Sequence, residues 1–189
     1  MVEQMKVSTA SMPLYSLLPA VTEFVVEQGW TRAYSRVSDI GGVGMYAAYF
    51  ALYMLTVEFG VYWCHRELHH PLVYKYLHAT HHKYNKEHTM SPFAGLAFNP
   101  FDGIIQAISY SLALFCVPMH FLTHELLLFA TGMVFPIMGA MYHTIHHTLY
   151  NYNHGHYTVL FDWMFGTLLT PEAYEIRFPR AAKAGRTRS

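Results

Sequence analysis

Residues Gly41 to Trp63 read GGVGMYAAYFALYMLTVEFGVYW, 23 positions with a single charge at Glu58. About 20 helical residues at ~1.5 Å each cross a ~30 Å hydrocarbon layer, so this run predicts a transmembrane helix. A second apolar region, 103–142, is too long for one crossing and is interrupted by PMHFLTHE at 118–125. It predicts a hairpin of two shorter helices, near 103–119 and 125–141. The return arm, Glu125 to Met141, holds 17 residues with Gly132, Pro136 and Gly139 among them. At about 25 Å it is expected to cross only marginally and to kink near Pro136.

The hydrophobic fraction of 53% beside 13% charged residues favours a membrane protein over a soluble one. Net charge is zero and no basic patch is interleaved with aromatics, so nucleic acid is not an expected partner. Cys64 and Cys116 sit in or beside apolar runs and predict no disulfide framework. The opening stretch lacks the basic, apolar and small-residue succession of a cleaved signal peptide. The segment from Pro13 to Trp30 mixes apolar and acidic residues and reads as interfacial and amphipathic. Three parts are therefore expected: an N-terminal interfacial segment (1–40), a membrane domain (41–170) and a basic cytosolic tail (171–189).

Histidines follow the first apolar run at fixed spacing. His65 and His69 are four apart, which on a helix stacks them on one face, about 6 Å along the axis. His78, His81 and His82 add an HX2HH set, and His143, His146 and His147 repeat it. A hairpin of two crossings between the first two sets and the last puts all eight on one side. Nine of the twelve Lys and Arg fall in 64–102 or in the tail, which assigns that side to the cytosol.

A lone HX3H is more often surface or satisfied core histidine than a ligand pair, but three sets beside membrane spans reverse that weighting. Clustered neutral rings next to lipid need partners, and a metal supplies one by binding the neutral ring. Nitrogen ligation without cysteine suits iron, zinc or copper, and eight donors exceed what one tetrahedral ion takes, so two metals are expected. His120 and His124 also make an HX3H, yet parity places them roughly 30 Å away on the opposite face, and they are not expected to ligate. His70, His88, His154 and His156 stay open, as does Glu58, which either orients a ligand histidine or extends its carboxylate toward the interface. The expected class is all-α: integral membrane helices with a cytosolic, histidine-rich, helical metal-binding cap.

The stretches VEFGVYWCHRELHHPLVYKYLHATHHKYNKEHTMSPFAGLAFNPFDGIIQA and PIMGAMYHTIHHTLYNYNHGHYTVLFDWMFGTL resemble the sterol desaturase branch of the fatty acid hydroxylase superfamily, in its plant-type Δ7-sterol C5(6)-desaturase form. The resemblance covers about Met12 to Thr170. It implies an endoplasmic reticulum membrane enzyme holding two irons on His65, His69, His78, His81, His82, His143, His146 and His147, with zinc possible in the isolated protein. It further implies a Δ7-sterol substrate in the lipid bilayer, O2 as oxidant and cytochrome b5 as electron donor. Members of that family carry a further upstream helical region, another HX3H pair between the return span and the last histidine set, and a histidine where this chain has Asn99. By that comparison a shortened desaturase is expected. A hydroxylase or C4-methyl sterol oxidase would share the histidine pattern, and a truncated, metal-poor, non-catalytic product is the rival outside the enzyme class.

Overall fold

The computed structural model describes residues 2–84, 97–133 and 140–179, and these are mostly helical. Helices α1 (Val2–Tyr15) and α2 (Leu17–Glu27) meet at Ser16, which keeps right-handed helical dihedrals, so the chain continues in nearly one direction. Pro19 lies in the first turn of α2, where its missing N–H costs nothing. A short strand, β1 (Ala33–Tyr34), follows, and then Gly41 and Gly42, both at φ +93°, turn the chain into α3 (Val43–Leu68). That φ is open to glycine and strained for other residues. Helix α3 is 26 residues long and runs five positions beyond Trp63, which carries His65 on the same rigid element as the apolar run.

Two short helices, α4 (Pro71–Leu77) and α5 (Ala79–Tyr84), turn back over the end of α3. The expected hairpin is formed by α6 (Pro100–Cys116) and α7 (Phe121–Met133), joined through β2 (Met119–His120). Asn99 caps α6: its Oδ1 accepts from Phe101 N at 3.0 Å and its Nδ2 donates to the Tyr76 carbonyl at 3.1 Å, with Pro100 at the first helical position. Helix α7 starts four residues before the expected Glu125, and the expected kink at Pro136 lies outside the described residues. The chain closes with α8 (Ala140–Leu149), α9 (Leu160–Met164) and α10 (Pro171–Arg177). Among the described helices α3 alone is long and apolar enough to cross a membrane, while α6 and α7 are apolar but shorter.

The N-terminal segment runs parallel to α6 along its length. Ser11 Oγ donates to the Phe98 carbonyl at 2.7 Å near one end, and Thr22 and Ser111 hydroxyls meet at 2.7 Å further along. Arg32 N donates to Leu114 O, and β1 pairs in parallel with β2, Ala33 opposite Met119 and Tyr34 opposite His120. Helix α3 packs antiparallel against α6, burying Tyr53, Val57 and Val61 against Ala107, Tyr110 and Leu114.

Close approach of α3 and α6 depends on Gly60, because a Cβ there would lie 2.6 Å from Ser109 Oγ and 2.8 Å from Ser109 Cβ. Gly60→Ala should force the helices apart and destabilise the fold by about 1–3 kcal/mol, the usual cost of overpacking. Adding Ser109→Gly should restore most of the loss in thermal unfolding followed by circular dichroism. A single Gly60→Ala variant as stable as the parent would contradict the packing.

Candidate metal centre

Three segments deliver the histidines to one end of the bundle. The C-terminal turn of α3 brings His65, with His69 just beyond it; α4 and α5 bring His78, His81 and His82; α8 brings His143, His146 and His147. The structure gathers all eight positions singled out in the sequence, in two adjacent groups. His65, His69, His78, His82 and His146 offer ligand atoms within 4.8 Å of one another, and so do His81, His143 and His147. The groups adjoin through His82 and His147, whose ring centroids are 4.2 Å apart.

Hydrogen bonds on the outer side of the rings select the inward nitrogens. His78 Nδ1 lies 2.9 Å from Asp102 Oδ2, with both side chains fully buried, and Gln106 Nε2 donates to the other carboxylate oxygen at 2.8 Å. His65 Nδ1 reaches the His154 carbonyl at 2.9 Å and His146 Nδ1 the Tyr152 carbonyl at 2.7 Å. A carboxylate or carbonyl only accepts, so each Nδ1 carries the hydrogen and each Nε2 presents a lone pair inward.

Those inward nitrogens fit a metal. His65 Nε2, His78 Nε2, His82 Nδ1 and both nitrogens of His147 are buried with no hydrogen-bond partner among the described residues, a costly state for polar atoms. His69 Nε2 stands 3.1 Å from His146 Nε2 and 3.3 Å from His82 Nε2. Nitrogens each about 2.1 Å from a common ion and 90–109° apart are separated by about 3.0–3.4 Å, the same spacing.

Burial also keeps the rings neutral. It holds His69 and His147 down to about 2, and His143 and His154 down to about 4, with neighbouring rings adding to the effect and Arg66 doing so at His154. His81, His82 and His146 lie below the ordinary histidine range for the same first cause. The unfolded chain takes up these protons near 6.5, so the metal-free fold has its full stability above about pH 6.5 and loses it as pH falls toward the folded values. The loss approaches about 1.4 kcal/mol per pH unit for each such histidine. Chelator-treated protein should therefore unfold between about pH 6 and 5, and added zinc should shift the transition to lower pH, both followed by circular dichroism. A metal-free fold unchanged down to pH 4 would contradict the buried neutral cluster.

The other histidines separate by place. His120 Nε2 approaches the Ser35 carbonyl and its ring packs on Tyr34 and Tyr46, while His124 Nδ1 meets Tyr53 OH at 2.7 Å. Tyr46 precedes His65 by 19 residues of α3, ~28 Å of helix, so this pair lies at the far end from the two groups. His70 caps α4, and His88 falls outside the described residues. His154, left open by the sequence, has its ring 5.2 Å from both His69 and His146, and its carbonyl holds His65. Glu58 touches no ligand histidine; its carboxylate accepts from the main-chain N–H groups of His156, Tyr157 and Thr158.

Known proteins agree with this arrangement. The fatty acid hydroxylase family model matches residues 50–167, which include both histidine groups. A Delta(7)-sterol-C5(6)-desaturase from Nicotiana tabacum is 53% identical, over 90% of this chain and 68% of its own length. A relative from Arabidopsis thaliana is 50% identical, over 97% of this chain and 70% of its own. The Delta(7)-sterol 5(6)-desaturase of Candida glabrata is 32% identical over 89% of this chain and 50% of its own length. No solved structure matches the chain. Because the matched region runs from within α3 to beyond α8 and so holds every histidine of both groups, and two plant relatives align along nearly all of the chain, this protein belongs to the fatty acid hydroxylase family.

Proposed function

We propose that this protein is an O2-dependent sterol C5-desaturase that binds two irons, one in each histidine group, and introduces the C5–C6 double bond of a Δ7-sterol. The observation that supports this most directly is the pair of adjoining buried histidine groups with inward nitrogens at metal-ligand spacing. The names of the plant and fungal relatives supply the substrate class. Bound iron would supply the oxidising power needed to break unactivated C–H bonds. Reduction of one O2 to two waters takes four electrons; the sterol gives two, and a donor such as cytochrome b5 must give the others.

The chain's own contribution is to hold and shield the site. Asp102 and the His154 and Tyr152 carbonyls keep the hydrogen of His78, His65 and His146 on the outer nitrogen. Burial keeps the cluster neutral and excludes bulk water.

A bilayer setting, in the endoplasmic reticulum with the histidine end cytosolic, belongs to this proposal, and the outer surface supports the bilayer itself. Leu52, Leu55, Phe59, Leu112, Leu126 and Phe129 are exposed along the bundle, whereas Ser11, Thr22, Ser109 and Ser111 are buried between helices. Apolar residues outside and small polar ones at helix contacts is the distribution lipid favours. Expression in yeast lacking its sterol C5-desaturase, followed by sterol profiling, tests the reading. New Δ5,7-sterol is the expected product; a hydroxylated sterol would favour the hydroxylase alternative, and an unchanged profile with protein present would reject desaturation by this chain.

A further inference from the structure

The loop between α8 and α9 is held by two buried carboxylates that meet at Gly155. Asp162 accepts from His154 N and Gly155 N, both at 2.8 Å, and from the Thr167 hydroxyl at 2.7 Å. Glu58, from the middle of α3, accepts from His156 N at 3.1 Å, Tyr157 N at 2.9 Å and Thr158 N at 2.8 Å. A Cβ at Gly155 would stand 2.8 Å from Asp162 Oδ2 and 3.2 Å from Glu58 Oε1, so no larger residue fits between them. Asn153, at φ +59°, fixes the start of the loop by pairing its amide with Leu169 N and Leu169 O at 2.9 and 3.0 Å. Five consecutive residues, 154–158, are thus bounded by anionic oxygens on both sides.

This investment is large for an ordinary turn. Glu58 and Asp162 are 3% and 0% exposed, and neither pairs with a cation among the described residues. Buried carboxylates satisfied by neutral N–H and O–H donors alone still carry uncompensated charge in a medium of low polarity. An all-histidine cage poses the complementary problem, since neutral rings leave a divalent ion's charge uncancelled. Glu58 precedes His65 by two turns of α3, ~10 Å along the axis, and the loop it braces delivers the His154 carbonyl to His65 Nδ1. The Tyr152 carbonyl, one residue before the Asn153 anchor, serves His146 Nδ1 in the same way.

We propose that Glu58 and Asp162 are positioning residues of the metal centre: they clamp the 152–158 loop so that its main chain orients His65 and His146, and their two negative charges offset that of the bound ion. Neither touches the ion. They act through two carbonyls and through the field, so their loss should change how tightly and at what potential a metal is held without changing how many ions bind. This rests on the metal-binding reading above.

The test uses the full chain purified in detergent and loaded with Co(II), whose absorption reports ligand field and whose affinity is read by chelator competition. Glu58→Gln and Asp162→Asn are near-isosteric and each keeps one acceptor oxygen. Each should bind the parent number of ions about 10–100-fold more weakly, with a shifted visible spectrum, and should raise the reduction potential of the iron-loaded form. His120→Ala, at the far end, should match the parent. Affinity, spectrum and potential equal to the parent would overturn the proposal even if thermal stability fell, because a purely structural clamp predicts that pattern. Should the carboxylate variants fail to fold, Thr158→Ala and Thr167→Val each remove one hydroxyl donor to these oxygens and should weaken Co(II) binding in the same direction, by a smaller factor; parent-like values in both would equally overturn it. A parent chain that binds no Co(II) would sink the metal reading itself, a separate result that takes this proposal with it.

Discussion

Replacing His146 by Ala should remove the metal from the five-histidine group and end sterol conversion together. His146 Nε2 is 3.1 Å from His69 Nε2, and its ring lies 4.5 Å from His65 and 5.2 Å from His82, so it faces three of the other four donors. Its removal deletes one nitrogen and releases the Tyr152 carbonyl that steered it. Because loss of an outer hydrogen-bond partner alone costs 10–100-fold in metal affinity, loss of a donor should cost at least about 100-fold. Metal per chain measured by plasma mass spectrometry against a competing chelator, beside sterol profiles in the deficient yeast, checks both effects. Equal metal loss from His120→Ala would mean that the far-end pair belongs to the site and that the arrangement described here is wrong.

The second large effect is expected at Asp102. His78 and Gln106 each donate to one of its oxygens, and no solvent reaches the group. Asn at this position has one acceptor atom for two donors and adds an N–H2 that has nowhere to point. One buried hydrogen bond is lost and one donor is left unsatisfied, about 1–3 kcal/mol of stability. His78 also loses the anion that keeps its hydrogen on Nδ1, so metal affinity should fall by about 10–100-fold. Gln106→Leu separates the two consequences, since it removes the second donor but leaves His78 its carboxylate. Affinity in Asp102→Asn equal to that in Gln106→Leu would show that the carboxylate does not act through His78.

The gathering of the eight histidines was legible because helical spacing and the apolar hairpin between the sets are properties of the string itself, and the same arithmetic set His120 and His124 apart. What escaped was carried by the main chain or by distant pairing. The contribution of His154 to His65 is a carbonyl, which every residue has, so no side-chain pattern marks it. The partners of Glu58 lie 98 to 100 residues further along, and a carboxylate answered by N–H groups leaves no opposite charge to find. Asn99 was different: Asn-Pro-Phe-Asp ahead of an apolar run is a helix start in its own right, and that local signal accounts for the residue without reference to any histidine. The N-terminal helices meet α6 through Ser11 and Thr22, whose partners lie 87 and 89 residues further along and leave no local mark in the sequence.

An ion shared by His65 and His146 would act as a cross-link. It would close a covalent loop of about 80 residues, for which chain-entropy arguments give a stabilisation of about 4.5 kcal/mol, comparable to a disulfide spanning the same distance. The two cysteines, both free, supply no such tie. Metal supply would then govern the lifetime of this protein: a chain made in metal-poor cells would be the same polymer without its clasp, open to proteases at the histidine end.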